Sequence, residues 1–507
     1  MKENTNNTIT NNDETSEAAV KNNASSGRIK NIARLVSVLI VFGLILIFLD
    51  RILLLKSEDG IEQMKAYYRQ PEGTVDALFV GSSHIFCHVN TGILWDEYGI
   101  SGFDLAAAEQ PFWNSYHYII EGLKTQTPKV VILDITTPGV RPTDYQPENW
   151  LITNTYGIKH NKNRINAIKI SALKDSCKRL LVPFNSMHAR YAELSELDFR
   201  DYDDTARFKG FDARETVVPF DTPDISGVTE RGELTEKEIT YLRKIIEYVQ
   251  GKGIPLLLMS SPYVVTPEEQ AKFNTIFDIA DEYGVPYIDF NLLYDEMGLD
   301  FQTDIAEILH LNRAGNEKFT RYFGQYLKDN YGLSDHRGDP KYSSWDAEAL
   351  FQRQDTLSFN IKNAALEGAN GKYLDLLNNS NLVIFCSVAP GFEGLGDPSL
   401  IQYLEPLGLK EEMLNDIGAF VLNSGKCIYE SHSYDFRIGF EDGNRRLLFV
   451  RNTDEDGPMH TMVRTNGSIG YQEITDYENH EMSWDNGISF LVYDTVLDRT
   501  VGGYTIQ

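Results

Sequence analysis

The sequence predicts a three-layer α/β domain built on a parallel sheet. One transmembrane helix precedes this domain, and a smaller α+β domain follows it. Three observations support this prediction: a long apolar run near the N-terminus, apolar strands alternating with amphipathic helices in the middle of the chain, and short strands separated by turn signals towards the C-terminus. A chain of 507 residues is too long for one ordinary hydrophobic core, so at least two folded domains are expected.

The N-terminal region predicts a tail followed by a membrane anchor. Residues 1–27 are polar and are predicted to be a disordered cytoplasmic tail, whereas residues 28–56 are predicted to be a transmembrane signal anchor. Leu35 to Leu55 would span about 30 Å as a helix, which matches one bilayer core. The basic residues that precede this run favour a single-pass protein with a cytoplasmic N-terminus and an extracellular remainder: Arg28, Lys30 and Arg34. A cleaved signal peptide is the alternative, but the small-x-small cleavage pattern is missing.

Residues 70–332 predict the parallel sheet domain. Five apolar runs are predicted strands: Asp76–Val80, Phe103–Ala107, Val130–Ile135, Ile254–Met259 and Val285–Phe290. Helices are predicted between and after them: Pro111–Thr125, Ile239–Gly251, Pro267–Tyr283 and Ala314–Lys328. Such alternation is typical of a parallel sheet that helices cover on both faces. In such sheets the binding and active sites lie at the carboxyl ends of the strands, and Gly81–His84 is expected at that edge.

The remaining segments predict an insert, a linker and an accessory domain. Residues 141–230 interrupt the alternation, and an insert of this kind commonly shapes a substrate entrance. Four of its side chains are candidates for lining a groove, although packing of the insert onto its own domain is the alternative: Trp150, His188, Arg190 and Tyr191. Residues 333–345 predict a polar linker, and residues 346–507 predict an α+β accessory domain with a mostly β core, interpreted as a binding or spacing module.

Composition excludes some functions. A net charge of −27 argues against nucleic acid as a partner, and it gives little attraction for anionic lipid, so membrane contact is expected from the apolar segment alone. The four cysteines are too few and too widely spaced for a disulfide scaffold or a zinc site. They are interpreted as small buried residues, with a Cys386–Cys427 bridge as the alternative. Neither a metal nor a cofactor is expected.

Three stretches together resemble the SGNH/GDSL hydrolase superfamily over about residues 70–332: Phe79-Val-Gly-Ser-Ser-His84, the Val-Ile-Leu-Asp strand that ends at Asp134, and His310-Leu-Asn-Arg-Ala-Gly315. More narrowly, they are similar to membrane-anchored members that acylate surface polymers, such as the D-alanine transfer protein of lipoteichoic acid and the alginate O-acetylation proteins. The C-terminal unit resembles the interleukin-like EMT inducer domain, both in its strand-helix-strand start and in its ending at Asn486–Asp494.

The resemblance implies a catalytic triad. Ser83 takes the nucleophile position, His310 the position of the base, and Glu307 the position where family members usually carry aspartate. Because glutamate is longer, Asp304 or Asp300 is an alternative acid. Without the resemblance, Ser82 and Ser83 would be interpreted as turn residues and His310 as a packing or capping residue.

The resemblance also implies an oxyanion hole, with Ser83, Ala107 and Thr136 as candidate donors. The glycine and asparagine blocks that family members use for this purpose are missing from this chain. His84 and Gln110 join the four residues of the insert as candidates for the substrate groove.

The leading hypothesis that follows is extracytoplasmic transfer of an acyl group, in particular acetyl, to a cell-surface polysaccharide through an acyl-Ser83 intermediate. By the resemblance, a multi-pass membrane acyltransferase of the MBOAT type would supply the acyl group. Two alternatives remain: an esterase that removes acyl groups from the same polymer, and a non-catalytic assembly or binding protein with a degenerate site. The missing asparagine block and the glutamate at position 307 favour the last of these.

Overall fold

The computed structural model describes most of the chain. The described ranges are 13–54, 59–137, 144–145, 147–181, 187–194, 198, 207–389, 398–414, 417–433, 435–442, 445–454, 457–466, 471–474 and 487–506. The predicted tail residues 1–12 therefore lie outside them, as does the C-terminal end of the predicted anchor after residue 54.

The first helix, α1, runs from Asp13 to Leu53. Within its portion from Lys30 to Leu53, an 18-residue window has a mean hydropathy of 2.8, and this portion is apolar enough to cross a membrane. Residues 13–27 fall within the bounds of this helix, and the disorder expected for the tail stays a prediction. The apolar side chains from Leu35 to Phe48 are exposed, as expected for a helix without protein neighbours along this stretch.

A five-stranded parallel sheet forms the centre of the first domain, which confirms the predicted α/β class. Its strands are β1 (Ala77–Gly81), β2 (Gly102–Ala106), β3 (Val130–Asp134), β4 (Leu256–Ser260) and β5 (Tyr287–Asp289). The strand order is β2-β1-β3-β4-β5, and every neighbouring pair is parallel. The order reverses at β1, because β2 lies on one side of it and β3 on the other. A crevice for ligands opens at such a switch point, beyond the carboxyl ends of the strands.

Helices cover both faces of this sheet. After α1 they are α2 (Ile61–Tyr67), α3 (Ser83–His88), α4 (Thr91–Tyr98), α5 (Phe112–Gly122), α6 (Glu148–Tyr156), α7 (Lys162–Ser171), α8 (Lys174–Leu180), α9 (Glu236–Gly251), α10 (Pro267–Glu282), α11 (Tyr294–Met297) and α12 (Arg313–Tyr331). Two short 3-10 helices, His188–Glu193 and Phe290–Leu292, lie among them. Because α2 buries Tyr67 in the core, the domain begins before residue 70, the predicted boundary.

Alternating residues of each strand belong to different hydrophobic clusters, which makes the domain three-layered. Leu78 and Val80 of β1 pack with α5, α9 and α10. Ala77 and Phe79 pack with α3, α4 and α12. Successive side chains of a strand point to opposite faces, so both faces of β1 are buried among apolar side chains. Because β1 is held at the centre of this core, the turn that follows Gly81 is held in place as well.

The end of the insert ties the loops around the carboxyl edge of the sheet together. The N–H of Asp104 donates to the carbonyl of Lys209, and the N–H of Asp212 donates to the carbonyl of Phe86 in α3. Further on, Val218 N–H donates to the carbonyl of Ile305. Ile305–Glu307 is strand β6, which forms a two-stranded antiparallel hairpin with β7 (His310–Leu311).

The C-terminal part of the chain combines helices with antiparallel strands. Its helices are α13 (Ser343–Leu366), α14 (Asn370–Leu376) and α15 (Pro398–Leu404), with 3-10 helices at Pro340–Tyr342, Glu405–Leu407 and Glu411–Leu414. Its strands are β8 (Leu382–Val388), β9 (Gly418–Asn423), β10 (Lys426–Ser431), β11 (Phe436–Asp442), β12 (Arg445–Asp454), β13 (Gly457–Asn466), β14 (Tyr471–Ile474), β15 (Ile488–Asp494) and β16 (Arg499–Ile506). They form two sheets, ordered β10-β9-β8-β15-β16 and β11-β12-β13-β14.

The segment predicted as a polar linker is packed onto the first domain. Trp345 is fully buried and its indole N–H donates to the carbonyl of Gly102, 3.1 Å away. Tyr342 stacks on the ring of His336, which in turn bonds to Asp76 next to β1. The linker prediction is therefore wrong for residues 336–345.

The cysteines are all free, so the alternative of a Cys386–Cys427 bridge is excluded. Cys386 lies on β8 and Cys427 on β10, and β9 runs between these two strands. A strand in that position keeps the two thiols too far apart for a disulfide.

Candidate active site

The turn after β1 presents two adjacent serines at the carboxyl edge of the sheet. Ser82 is the N-cap residue of α3 and Ser83 is its first residue. Gly81 is required here because a Cβ atom at this position would lie only 2.7 Å from Cβ of Asp134. The close approach of β3 thus explains the glycine, and the turn directs the two serines to different partners.

Ser83 is joined to His310, which lies 227 positions later in the sequence. Ser83 Oγ is 2.7 Å from His310 Nε2, and His310 Nδ1 is 2.7 Å from Oε1 of Glu307. The hairpin explains the second contact, because Glu307 of β6 and His310 of β7 are register partners. A neutral imidazole with its proton on Nδ1 donates to Glu307 and accepts the hydroxyl proton of Ser83, which is the arrangement of a nucleophile, base and orienting acid.

Burial keeps His310 in the form that accepts a proton. Its side chain is 9% exposed, whereas that of Glu307 is 55% exposed. Burial lowers the pKa of His310 from its ordinary value, and the hydrogen bond and charge of Glu307 oppose this shift. The net direction is downwards, so the imidazole is neutral at neutral pH.

Ser82 belongs to a different hydrogen-bond network. Its Oγ is 3.0 Å from Nδ1 of His84 and 3.5 Å from Oδ2 of Asp134, to which the hydroxyl donates. The spacing of residues in the sequence did not distinguish the two serines, and only the family resemblance assigned Ser83 to the nucleophile position. The geometry separates them, because Ser83 bonds to His310 of the His310–Glu307 pair while Ser82 is buried and bonds to His84 and Asp134.

Asp134 is a central residue of this region that the sequence analysis did not single out. It ends β3, is buried, and accepts hydrogen bonds from the hydroxyls of Thr136 at 2.6 Å and Ser261 at 3.0 Å. Burial raises the pKa of Asp134 to about 6, although these hydrogen bonds act in the opposite direction. The sequence feature that could have identified Asp134 is its position as a carboxylate at the end of the predicted strand Val130–Ile135.

His88 is a second residue that the sequence analysis missed. Its Nε2 accepts the backbone N–H of Leu311 at 3.0 Å, which ties α3 to the strand that carries His310. The ring of His84, four positions earlier and so on the same face of α3, lies 5.3 Å from the rings of both His88 and His310. The available signal was this i, i+4 pair of histidines after the candidate nucleophile.

Two of the three candidate oxyanion donors are already engaged. The N–H of Ala107 donates to the carbonyl of Gly81, 3.3 Å away. Both the hydroxyl and the N–H of Thr136 donate to Asp134. In this conformation these groups donate within the protein, and the assignment of Ala107 and Thr136 as oxyanion donors stays a prediction. The N–H of Ser83 opens a helix, where such groups have no acceptor within the helix.

The loop after β2, where the resemblance predicts a glycine that this chain lacks, carries backbone strain. Glu109 has a φ of 54°, in the left-handed region that glycine favours. Strain of this kind is concentrated at functional sites in proteins.

The alternative acid, Asp304, has other partners. Its carboxylate pairs with Lys318 at 2.6 Å and accepts the N–H of Asp300 at 2.8 Å. Asp304 is buried in these contacts, so the structure gives the position beside His310 to Glu307 instead.

The candidate groove residues divide into two groups. His84 and Gln110 are buried in the domain, with the Gln110 amide donating to the Ser115 hydroxyl, and Trp150 packs against the cluster that contains Ile85 of α3. His188, Arg190 and Tyr191 form the second group, on a 3-10 helix next to the end of α1. Arg190 pairs with Asp198 there and donates to the carbonyl of Leu53. The contacts of this second group thus lie at the end of α1, and its place in a substrate groove stays a prediction.

Among the residues that the structure describes, no group of three or more His, Cys, Asp or Glu side chains is arranged to hold a metal ion. In the group formed by the histidines of α3 and His310, His88 Nε2 accepts the Leu311 N–H and His310 bonds to Ser83 and Glu307. His84 Nε2 and His88 Nδ1 are buried without a hydrogen-bond partner among the described residues.

Comparisons with known proteins give only distant similarities. No family model matches the chain, and no curated protein matches it. Among solved structures, it is similar to an assumed acylhydrolase from Bacteroides fragilis, with 11% identity over 52% of this chain and 91% of that one and a TM-score of 0.27. It is also similar to a gut microbial diltiazem-metabolizing enzyme, with 14% identity over 51% of this chain and 48% of that one and a TM-score of 0.20.

Proposed function

We propose that this protein is a membrane-anchored serine acyltransferase that transfers an acyl group, acetyl in the simplest case, to a hydroxyl of a cell-surface polysaccharide. The observation that carries the proposal is the continuous set of hydrogen bonds from Ser83 through His310 to Glu307. Supporting it are the lowered pKa of His310 and the position of Ser83 at the switch point of the parallel sheet.

The proposed reaction has two halves. In the first, Ser83 Oγ attacks the acyl carbonyl, His310 takes the hydroxyl proton and then gives it to the leaving group, and an acyl ester forms on Ser83. In the second, His310 takes the proton of a sugar hydroxyl, whose oxygen attacks the ester, and the proton returns to Ser83. Glu307 holds the imidazole and stabilises its positive charge in both halves. The N–H of Ser83 would stabilise the oxyanion.

The anchor and the proposed partner fit this scheme. An enzyme outside the cell has no access to cytosolic acyl donors, so we propose that a multi-pass membrane acyltransferase of the MBOAT type delivers the acyl group. The helix α1, with its apolar portion Lys30–Leu53, would keep Ser83 near such a partner, with the N-terminus in the cytoplasm. The C-terminal unit from residue 346 would serve as a binding or spacing module.

Labelling with a fluorophosphonate probe tests the nucleophile. The full chain in detergent should be modified at Ser83, and the Ser83→Ala variant should lose at least about 100-fold of the labelling rate. Ser82→Ala is the matched control, because it removes the neighbouring hydroxyl but not the bond to His310, and it should keep its label on Ser83. Modification of Ser82, or of neither serine in a folded chain, would contradict the catalytic proposal and favour a non-catalytic binding protein.

Hydrolysis is the second candidate function, because the 55% exposure of Glu307 places the triad within reach of water. The two functions differ in what accepts the acyl group. With p-nitrophenyl acetate as donor and an oligosaccharide as acceptor, a transferase should produce acetylated sugar that Ser83→Ala does not produce. Free acetate alone, at a rate that the acceptor does not change, would favour the esterase.

A further inference from the structure

The insert contains a positively charged stretch in an otherwise acidic protein. The whole chain has 47 Lys and Arg residues against 74 Asp and Glu residues. Between positions 159 and 181, however, only Asp175 is acidic, whereas Lys and Arg occupy seven positions: Lys159, Lys162, Arg164, Lys169, Lys174, Lys178 and Arg179. The overall charge therefore does not describe this surface.

All five of these lysines are exposed. Lys159 lies over the ring of Tyr68, and exposed apolar side chains lie between the other four. On α7, Lys162, Ile165 and Lys169 follow an i, i+3, i+7 spacing and share its outer face. Leu173, 58% exposed, and Lys174 come next, and Lys178 lies on α8. We call these six residues the basic surface. Within the part of the chain that the structure describes, none of its lysines has an ion-pair partner, whereas the neighbouring Arg179 pairs with Glu148.

The basic surface is held at the end of α1. Ile168 of α7 and Leu180 of α8 belong to a small cluster against which Leu54, the residue after α1, packs. Arg190 donates to the carbonyl of Leu53 at 3.0 Å, which satisfies one of the last carbonyls of the helix. If α1 crosses a bilayer, as the proposed function requires, the insert lies where the chain leaves the lipid.

We infer that the basic surface rests on a membrane surface that contains anionic lipid headgroups. Lysines attract an anionic lipid surface, each contributing about a fivefold gain in association, and apolar side chains between them insert at the boundary of the acyl chains. The contact fixes how the carboxyl edge of the sheet, with Ser83, is oriented relative to the membrane, which α1 alone does not do.

A lipid surface explains the observations better than a soluble polyanion. A polyanion would be attracted by the lysines, but it gives no reason for Ile165 and Leu173 to be exposed between them. Continuity with α1 adds an argument that is independent of charge, because the inner face of the same helices packs on residues that adjoin the apolar span.

Lysine acetylation of the full chain in lipid nanodiscs tests the inference, with mass spectrometry as the readout. In nanodiscs that contain phosphatidylglycerol, the four lysines of the basic surface should react at least about fivefold more slowly than in nanodiscs of phosphatidylcholine alone. Lys372 and Lys410, which are exposed in the C-terminal part, should react equally in both. High salt should remove the difference. In the variant with Lys169→Gln, Lys174→Gln and Lys178→Gln, Lys162 should lose its protection.

Two results would overturn the inference while leaving the proposed function intact. One is equal reactivity of Lys162, Lys169, Lys174 and Lys178 in the two kinds of nanodisc. The other is protection by soluble polyphosphate in detergent without protection by phosphatidylglycerol, which would assign the surface to a polymer. A chain that does not co-elute with nanodiscs at all would instead refute the anchor itself, and the inference with it.

Discussion

At the scale of single residues, the contact between Glu307 and His310 decides the chemistry. Glu307 makes this contact although the resemblance predicts aspartate at its position, because Glu307 and His310 face each other across a hairpin. The longer side chain reaches the imidazole from the exposed side of the hairpin, whereas Asp304 is held by Lys318. The identity of the acid therefore follows from the strand pairing more than from the three-residue spacing.

The pH dependence of Ser83 labelling should report this contact. Because burial lowers the pKa of His310, the acidic limb of the labelling rate should lie below pH 6.5, the ordinary pKa of histidine. Glu307 acts in the opposite direction, by its hydrogen bond and its charge. In Glu307→Gln the acidic limb should therefore move to still lower pH, while the maximal rate falls at least about tenfold.

The control for this experiment is Asp304→Asn, which removes the alternative acid. It should leave the position of the acidic limb unchanged, because the Asp304 carboxylate bonds to Lys318 and to the Asp300 N–H rather than to His310. A limb that moves in Asp304→Asn but not in Glu307→Gln would show that the acid has been assigned incorrectly.

At the scale of elements, the site depends on the close approach of β1, β3 and α3. A side chain at Gly81 would meet Cβ of Asp134 at 2.7 Å and Cγ1 of Ile85 at 2.9 Å. Both atoms belong to buried, well-packed residues, so neither moves at small cost. The glycine thus sets the path by which Ser83 reaches His310.

Gly81→Ala should therefore destabilise the domain by about 1–3 kcal/mol, which thermal denaturation in detergent would measure. It should also slow the fluorophosphonate labelling of Ser83, because the turn that carries the serine must shift. The matched control is Gly251→Ala at the end of α9, where a Cβ meets nothing within 4 Å. This change should be neutral or stabilise by up to about 1 kcal/mol. Equal effects of the two variants would contradict the packing argument.

At the scale of the whole molecule, ion pairs with α13 connect the parallel sheet domain to the C-terminal sheet that contains β16. Arg313, three positions after His310, has a nearly buried side chain that pairs with Asp355 of α13 at 2.5 Å. Asp355 also pairs with Arg499 of β16 at 2.6 Å. The segment that follows the base is thus in contact with α13 through the Asp355 carboxylate, and Arg313 also donates to the Thr356 hydroxyl of the same helix at 3.1 Å.

Asp355→Asn should destabilise the protein by about 3 kcal/mol, because it leaves the buried Arg313 with Glu215, whose side chain is 49% exposed, as its remaining ion-pair partner among the described residues. Limited proteolysis should then cut between α12 and α13 faster than in the unchanged protein. Glu97→Gln is the control, since it breaks the exposed Arg321–Glu97 pair and should change stability by less than about 1 kcal/mol. Similar losses in both variants would argue against α13 as a structural joint.

The largest error of the sequence analysis also lies at this scale. The helix α13 was not predicted, because the side chains that it buries include Glu348 and Gln352 and so give no apolar stripe. Glu348 pairs with Arg207 of the first domain and accepts the Gln352 amide. A polar face that is satisfied by distant partners looks like a solvated face when only the sequence is known.

Local pattern was sufficient for the parallel sheet, four of its helices and the apolar span of α1, because periodicity reports which faces of an element are buried. It also placed a serine turn at a strand end. The three-dimensional fold alone decided which serine meets His310, that Glu307 and not Asp304 contacts it, and that Asp134 lies beneath the turn. Those contacts depend on backbone angles at one turn and on segments 227 positions apart, and local spacing determines neither.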